Sequence, residues 1–459
     1  MTTQSREQTG IRTLEEAIAD AGGAVDVLRN SKARPTTFPV AAEFSNWRSE
    51  QRSWRESCAL LDQSHHMTDL FISGPDALKL LSDLAVNSFA KFEVGKAKQF
   101  IAVNDEGFLI GDAILFYLEK GSFDLVGHPM AIDWVQFHIE TGNYDATFER
   151  DGNSIVRQGN PKLYRYELQG PTARAIMEKA TGAPLPDIKF FKMSDFEIAG
   201  HRVRGLRHGM AGQPGFELFG PWEEGDAVRA ALVEAGEEYD LVPVGAKGYS
   251  TANLESGWVP APLPAIFTST GTAEYRKWLN AASAGSLGGS FDSENIEDFY
   301  LTPYDLGYAH AVKFDHEFIG KEALQKIAEN PKRKKVTLVW NSDDVAAAMG
   351  SLFQEGVPAK YIELPKARYA LYQADQILVD GSKAGVSLDC GYVANEQFFV
   401  SLAAIDIEHS EPGTEVTVLW GENPNSEKPQ VEEHRQVSVR ATVAPVPFVA
   451  FARENYRTK

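Results

Sequence analysis

Two stretches of this chain repeat one pattern of apolar and polar positions. Thr68-Asp-Leu-Phe-Ile-Ser-Gly74-Pro75-Asp-Ala77-Leu-Lys-Leu-Leu and Tyr164-Arg-Tyr-Glu-Leu-Gln-Gly170-Pro171-Thr-Ala173-Arg-Ala-Ile-Met each read as a strand, a Gly-Pro turn and a helix. Leu70 and Ile72 alternate with polar neighbours, as in a strand with one buried face. Pro75 and Pro171 suit a first helical turn, where no amide donor is needed. Each copy runs on through strand-like stretches to a second helix, over Pro129–His138 in the first and Trp222–Leu232 in the second. The pattern predicts two related α+β units packed together.

Helices are also expected around Leu14–Asn30 and Trp47–Leu61, and Pro260, Pro262 and Pro264 mark a loop after Trp258. The basic run Lys332-Arg-Lys-Lys335 reads as a boundary, or simply as the solvated start of a strand. Beyond it, Val336–Trp340, Ile377–Val379, Phe398–Ala403 and Val416–Trp420 read as strands separated by Gly and Pro. The expected division is 1–67 with 161–253 as one discontinuous α+β unit, 68–160 with 254–330 as the second, and 331–459 as a C-terminal β-domain.

A chain of 459 residues exceeds one ordinary core. No apolar run approaches the ~20 residues needed to cross a bilayer. The opening Met1-Thr-Thr-Gln-Ser-Arg-Glu has no apolar signal core, so a cytoplasmic protein is expected. Cys58 and Cys390 stand alone and far apart, which excludes a disulfide framework, a thiolate zinc site and an iron–sulfur ligand set. A net charge of −19 argues against nucleic acid as a partner. The chain has no Gly-x-Gly-x-x-Gly and no Gly-x4-Gly-Lys-Ser/Thr, which weighs against a nucleotide-dependent enzyme.

Four places could carry chemistry. The first is Asp62-Gln63-Ser64-His65-His66-Met67, expected at a helix end. Neighbouring side chains diverge, so His65 and His66 cannot share a metal from a regular strand; a hydrogen-bonded structural cluster and a substrate pocket both remain open. The second is Arg207-His208-Gly209, ending a strand, followed by Gly212-Gln-Pro-Gly215-Phe-Glu217. It reads as a hairpin, with a Glu217 carboxylate able to accept paired hydrogen bonds from a ligand's amide and amine. The third is Tyr249 with Trp258, placed in a loop, and the Phe190-Phe191 pair; these aromatics either fill core or face a flat ligand. The fourth is His128, where a strand meets the helix beginning at Pro129, which reads as an anion site or as a plain surface cap.

The run Lys247-Gly-Tyr-Ser-Thr-Ala-Asn-Leu-Glu-Ser-Gly-Trp258, together with Leu206-Arg-His-Gly-Met-Ala-Gly, resembles the folate-binding half of the glycine-cleavage T-protein superfamily. Within it the chain looks most like the tetrahydrofolate-dependent aromatic O-demethylases of lignin catabolism. Leu28-Arg-Asn-Ser, Glu43-Phe-Ser-Asn-Trp-Arg, Asp62-Gln-Ser-His-His-Met, Val312-Lys-Phe-Asp-His-Glu-Phe and Leu419-Trp-Gly-Glu carry that likeness along nearly the whole length. The resemblance implies an α+β fold of two domains around a central folate channel, plus a C-terminal β-domain. It implies transfer of a methyl group from a methoxy-substituted aromatic acid to tetrahydrofolate. Tyr249 and His66 would serve the reacting bond, and Gln63, His65 and His128 the substrate. Glu217, Trp258, Phe191, Glu167 and Arg207 would serve the folate. No metal and no obligate protein partner is implied. Vanillate-type members carry arginine where this chain has His128; the smaller side chain leaves room for a second methoxy group. Syringate is therefore expected ahead of 3-O-methylgallate and vanillate. The rival readings are transfer from an aminomethyl or sulfonium donor, and a non-enzymatic folate-binding protein. The latter is marked by a cysteine after Lys-Gly, where this chain has Tyr249.

Overall fold

The computed structural model describes residues 12–422, 426 and 428–457; the opening segment 1–11, where no apolar signal core was read, lies outside the described residues. The two Gly-Pro turns have matching geometry. Gly74 and Gly170 sit at φ 133° and 142°, and a Cβ on either would strike a backbone carbonyl, that of Asp145 or that of Ser57. Each turn lets its strand pass close to a neighbouring strand end before the helix Ala77–Leu84 or Ala173–Thr181 begins.

The first sheet has six strands in the order Leu241–Val244, Cys58–Asp62, Leu163–Gln169, Gly215–Pro221, His201–Arg207 and Met193–Ile198. Its only parallel pair is Cys58–Asp62 with Leu241–Val244. The expected helix over Trp47–Leu61 therefore stops at Glu56, and Cys58–Asp62 is a strand. Cys58 to Leu61 are buried on both faces, so no alternation betrays the strand. Gln63 follows a strand, not a helix end. Along Leu163–Gln169 the alternation divides the chain: Tyr164, Tyr166 and Leu168 pack under Ala173–Thr181 and Gly225–Gly236 with Ile176, Met177, Val228 and Leu232. Arg165, Glu167 and Gln169 point the other way and are buried too.

The second sheet has five antiparallel strands in the order Ala97–Val103, Leu109–Glu119, Ser122–Gly127, Thr68–Ser73 and Thr147–Asp151. Leu70, Ile72 and Leu125 meet the helix Pro129–Thr141 and apolar side chains from 254–324 in the largest core of the molecule. The facing sides of the two sheets meet through Phe116 and Val126 against Leu206 and Phe219. Backbone bonds from Ala97 to Phe191 O (2.9 Å) and from Met193 to Gly95 O (2.8 Å) stitch one corner.

Residues from 333 to 444 form a closed six-stranded barrel around Trp340, Trp420, Leu338, Val418 and Val439. The basic run is its first strand, Arg333–Trp340. Sequence reading missed two barrel strands, Ser382–Val393 and Val437–Ala444. Among the described residues no helix is long and apolar enough to cross a membrane.

One side chain ties the sheets together. Arg165 is 2% exposed and its guanidinium lies between the Phe116 and Phe219 rings, 5.3 and 4.9 Å from their centroids. It pairs with Asp69 and with Asp124 (2.7 Å) on the second sheet, and with Glu217 (3.2 Å) on its own. Burial opposes its charge, but Asp69, Asp124 and Glu217 together hold its pKa above the ordinary value. Burial and then Asp69 push Asp124 well above the usual carboxylate range, so the cluster keeps a proton that an exposed aspartate would lose.

Arg165→Met should therefore destabilise strongly, by about 3–5 kcal/mol, because three carboxylates lose their only cation. Asp124 and Glu217 have raised pKa values, so their penalty grows as pH rises and relaxes as they protonate. Urea unfolding should show a larger loss at about pH 8 than at about pH 5. Equal losses at both would mean that Arg165 acts through packing alone.

Candidate active site

The turn after Cys58–Asp62 is built by its own polar side chains. Gln63 N donates to Arg165 O (2.8 Å), and Ser64 N to Asp62 Oδ1 (3.0 Å). Ser64 Oγ accepts from Arg165 N (3.0 Å). The two histidines then diverge. His65 packs edge-on against Trp222 at 5.7 Å, and its carbonyl accepts from Ser154 N at 2.9 Å. His66 packs against Tyr249 (5.2 Å) and Phe38 (5.8 Å), with Nε2 3.0 Å from the Tyr249 hydroxyl.

Tyr249 ends a short helix, Ala246–Tyr249, not an irregular loop; glycine at 248 is buried inside that turn. Buried acids hold the segment. Glu50 Oε2 accepts from Gly245 N (2.9 Å), and Glu50 Oε1 from Phe44 N and Ser45 N (2.7 and 2.8 Å). Glu255 accepts from Trp54 Nε1, Arg55 Nε and Asn395 Nδ2 at 3.0, 3.0 and 2.9 Å. Asn253 Nδ2 donates to Trp258 O (2.9 Å) and to Asp389 Oδ2 (2.7 Å), which also accepts from Lys366 Nζ (2.6 Å). The barrel thus helps to hold the helix that follows Tyr249.

Glu167 and Glu217 stand opposite each other on adjacent strands, on the polar face of the first sheet. Glu167 accepts from Met210 N (2.5 Å) and pairs with Gln63 Nε2, which also lies 3.5 Å from the Tyr249 hydroxyl. Tyr249, His66, Gln63, Glu167 and Glu217 therefore form one constellation, while the His65 ring turns away towards Trp222. Burial raises Glu167 to about 8, and Glu217 adds to the rise. Burial lowers His66 to about 4, so its imidazole is neutral at pH 7. Burial, then the charges of Glu167 and Glu217, hold Tyr249 well above the ordinary tyrosine value; it remains a phenol. Burial also raises Glu217, against the pull of Arg165.

The remaining candidates line the neighbouring walls. Trp258 Nε1 donates to Asp112 Oδ2 (3.0 Å), which also accepts from Gln99 Nε2 (2.5 Å) and Tyr308 OH (3.2 Å). Phe191 adopts φ 59°, in the left-handed region. Its ring lies 5.3 Å from His208, whose Nδ1 is 2.8 Å from the Tyr456 hydroxyl. Arg207 is buried; its Nη1 has no hydrogen-bond partner. His128 caps Pro129–Thr141 without a side-chain cap bond. Its ring keeps accessible surface, yet burial first, and the nearby Arg368 charge second, lower its pKa to about 4. Asp69, Asp112, Asp124 and Arg165 escaped sequence reading. The one available signal was the strict alternation in Tyr164-Arg-Tyr-Glu-Leu-Gln, which fits a solvated face equally well.

The GCVT N-terminal domain model matches residues 16–261. The chain is 49% identical to a syringate O-demethylase of Sphingobium sp. (strain NBRC 103272 / SYK-6) over 451 residues, covering 97% of this chain and 98% of that one. It is 30% identical to a sesamin methylene transferase of Sinomonas sp. (strain No.22), over 84% of each chain. Its backbone matches the crystal structure of glycine cleavage system aminomethyltransferase T from Bartonella henselae with a TM-score of 0.61. That match covers 97% of this chain and 96% of the other at 19% identity, and so bears on the fold alone. With a family model spanning more than half of its length and relatives alike from end to end, the chain belongs to the GCVT family.

Proposed function

We propose that this protein is a tetrahydrofolate-dependent aromatic O-demethylase whose preferred substrate is syringate, with 3-O-methylgallate and vanillate behind it. The observation that carries the reading is a half-buried tyrosine phenol 3.0 Å from a neutral histidine, beside two carboxylates of raised pKa. The likeness to the Sphingobium syringate O-demethylase supports it. The polar lining fits a reduced folate. Glu167 and Glu217 are acceptors for a pterin's amide and amine donors. The orphaned Nη1 of buried Arg207 suits an anionic tail, and Trp258 and Phe191 are flat walls. A cytoplasmic enzyme without an obligate protein partner completes the reading, consistent with two buried free cysteines.

When bound, tetrahydrofolate supplies the nitrogen that accepts the methyl group. The chain's own task is to make a phenolate leave. His66, neutral, donates its Nε2–H to the Tyr249 oxygen, which frees the phenol hydrogen to point at the ether oxygen. That donation stabilises charge as the C–O bond breaks, and Tyr249 matches a phenol leaving group in kind. Glu167, protonated below about 8, keeps negative charge away from the developing phenolate. Gln63 links it to Tyr249.

The direct test is incubation with tetrahydrofolate and syringate, 3-O-methylgallate, vanillate or dimethylsulfoniopropionate, with products read by mass. Syringate should give 5-methyltetrahydrofolate and a catechol-type acid. Tyr249→Phe should lower kcat about 100-fold or more with little change in KM, since the hydroxyl acts mainly in the transition state. Turnover of the sulfonium compound alone would refute the reading.

Wild-type kcat should fall as pH rises through about 8, where Glu167 ionises. Glu167→Gln should remove that limb. The same group governs stability: its folded pKa is raised, so its contribution is intact below the unfolded value of 4.5 and is lost as pH climbs to about 8. Melting curves of the two proteins should accordingly diverge over that window in favour of the variant. A parallel course would show that Glu167 is already ionised at low pH.

His128→Arg should move the syringate-to-vanillate ratio of kcat/KM towards vanillate, because the longer side chain crowds a second methoxy group. A ratio that holds, or moves towards syringate, would mean that selectivity is set elsewhere.

A further inference from the structure

We infer that Tyr456, on the tail that follows the last barrel strand, is a positioning residue for the folate pocket: its hydroxyl fixes the loop 208–212, whose next amide holds Glu167. This rests on the demethylase reading above. The loop is held at three successive backbone amides by three different side chains. Gly209 N donates to the Tyr456 hydroxyl (2.9 Å), Met210 N to Glu167 Oε1 (2.5 Å) and Ala211 N to Gln169 Oε1 (2.9 Å). Glu167 and Gln169 share the strand Leu163–Gln169. Tyr456 reaches the loop from 247 residues further along the chain.

The hydroxyl of Tyr456 is occupied on both sides. It accepts from Gly209 N, which leaves its own hydrogen for His208 Nδ1, 2.8 Å away. That bond needs an unprotonated Nδ1. Burial, with the charges of Arg207 and Arg457, lowers His208 to about 4, so its imidazole is neutral at pH 7. The Tyr456 ring is 8% exposed and meets Phe190 edge-on at 5.0 Å, and Phe190 lies 4.5 Å from Phe191. Packing of that ring asks only for a phenyl group. The hydroxyl serves the loop.

Tail and loop are shaped to each other. Gly212 sits at φ 71°, and a Cβ there would lie 2.5 Å from the Cβ of Ala452, on the tail helix Ala450–Glu454. Gly257, beside Trp258, sits at φ 73°, and a Cβ there would lie 2.6 Å from Val446 Cγ2. Glycine at both places admits the close approach. The tail is itself tied into one body. Arg453 Nη1 donates to Pro447 O and Phe448 O (2.7 and 3.0 Å), and Asn455 N and Tyr456 N donate to Phe451 O (2.9 and 3.1 Å). It therefore backs both the loop that presents Met210 and the corner that presents Trp258.

The test uses the full-length protein. Tyr456→Phe keeps the ring and removes the hydroxyl. Calorimetry should show 5-methyltetrahydrofolate bound about 10-fold more weakly, as for one lost hydrogen bond at a buried amide. KM for tetrahydrofolate should rise with it, while KM for syringate stays as in wild type. The pH profile gives a second readout. The Met210 amide favours the ionised form of Glu167, so a loosened loop keeps Glu167 protonated to higher pH and moves the alkaline fall of kcat above about 8. Glu217, Gln63, Tyr249 and Tyr456 are the other groups that act with Glu167, and the variant alters only the last. Gly212→Ala, which pushes the tail away and leaves Tyr456 intact, should give the same two changes, and Ala452→Gly in that background should reverse them in part. Unchanged folate affinity in Tyr456→Phe, or an alkaline limb that stays where the wild type has it, overturns the inference. So does an equal weakening for folate and syringate, which marks a general loss of structure. Wild-type protein that binds no 5-methyltetrahydrofolate defeats the demethylase reading first, and this inference with it; wild-type and Tyr456→Phe proteins that bind it alike defeat this inference alone.

Discussion

A single guanidinium sets the terms for the interior of this molecule. Arg165 reaches from one sheet to two aspartates on the other, with a glutamate of its own sheet as third partner. Three carboxylates share one cation away from water, and burial holds Asp124 and Glu217 above their ordinary values. The space between the sheets therefore holds a polar, acid-rich cluster beside the apolar contact of Phe116, Val126, Leu206 and Phe219. An apolar filling would strand the carboxylates; removal of the cation would set them against each other. Glu167 and Glu217 are raised, Tyr249 stays a phenol, and His66 loses its charge, in each case with burial as the first cause.

The shifted groups form a consistent set. A tyrosine that ionised easily would be useless as a donor to a departing phenolate, and a protonated histidine beside it would favour that ionisation. Burial prevents both at once. The same low-dielectric setting makes each unpaired polar atom costly. Gln63 Oε1, Arg207 Nη1 and Asp124 Oδ1 are buried with no partner in the chain.

What the sequence disclosed follows from what kind of signal each feature leaves. The strand–Gly-Pro–helix repeat was legible because a turn that brings backbone against backbone admits only glycine, and so prints it twice at the same offset. The α+β class and the terminal β-domain followed from period and punctuation. The strand Cys58–Asp62 was hidden, since both of its faces are buried and the preceding helix runs into it almost without a break. The helical turn ending at Tyr249 was read as a loop because Gly248 is a poor helix former; tertiary contact through Glu50 overrides that preference. Arg165, Asp69, Asp112 and Asp124 left no motif at all. Each sits in an ordinary alternating strand, and alternation cannot say whether the polar face meets water or a second polar sheet.

The barrel is the element whose role was least visible from sequence, and it is more than an appendage. Asp389 and Lys366 fix Asn253 and, through it, Trp258. Glu396 and Asn395 reach Arg55 and Glu255 behind the Tyr249 segment, and Lys335 Nζ donates to Gly257 O at 2.7 Å. Burial, with the charge of Arg457, lowers Lys335 to about 8 despite the pull of Asp112, which still leaves it mostly protonated at neutral pH. Such bonds join segments more than 70 residues apart, where no local pattern records them. They divide the work by domain. The two sheets supply Arg165 and the acids around it, while the barrel supplies cations and amides that hold the Tyr249–Trp258 segment.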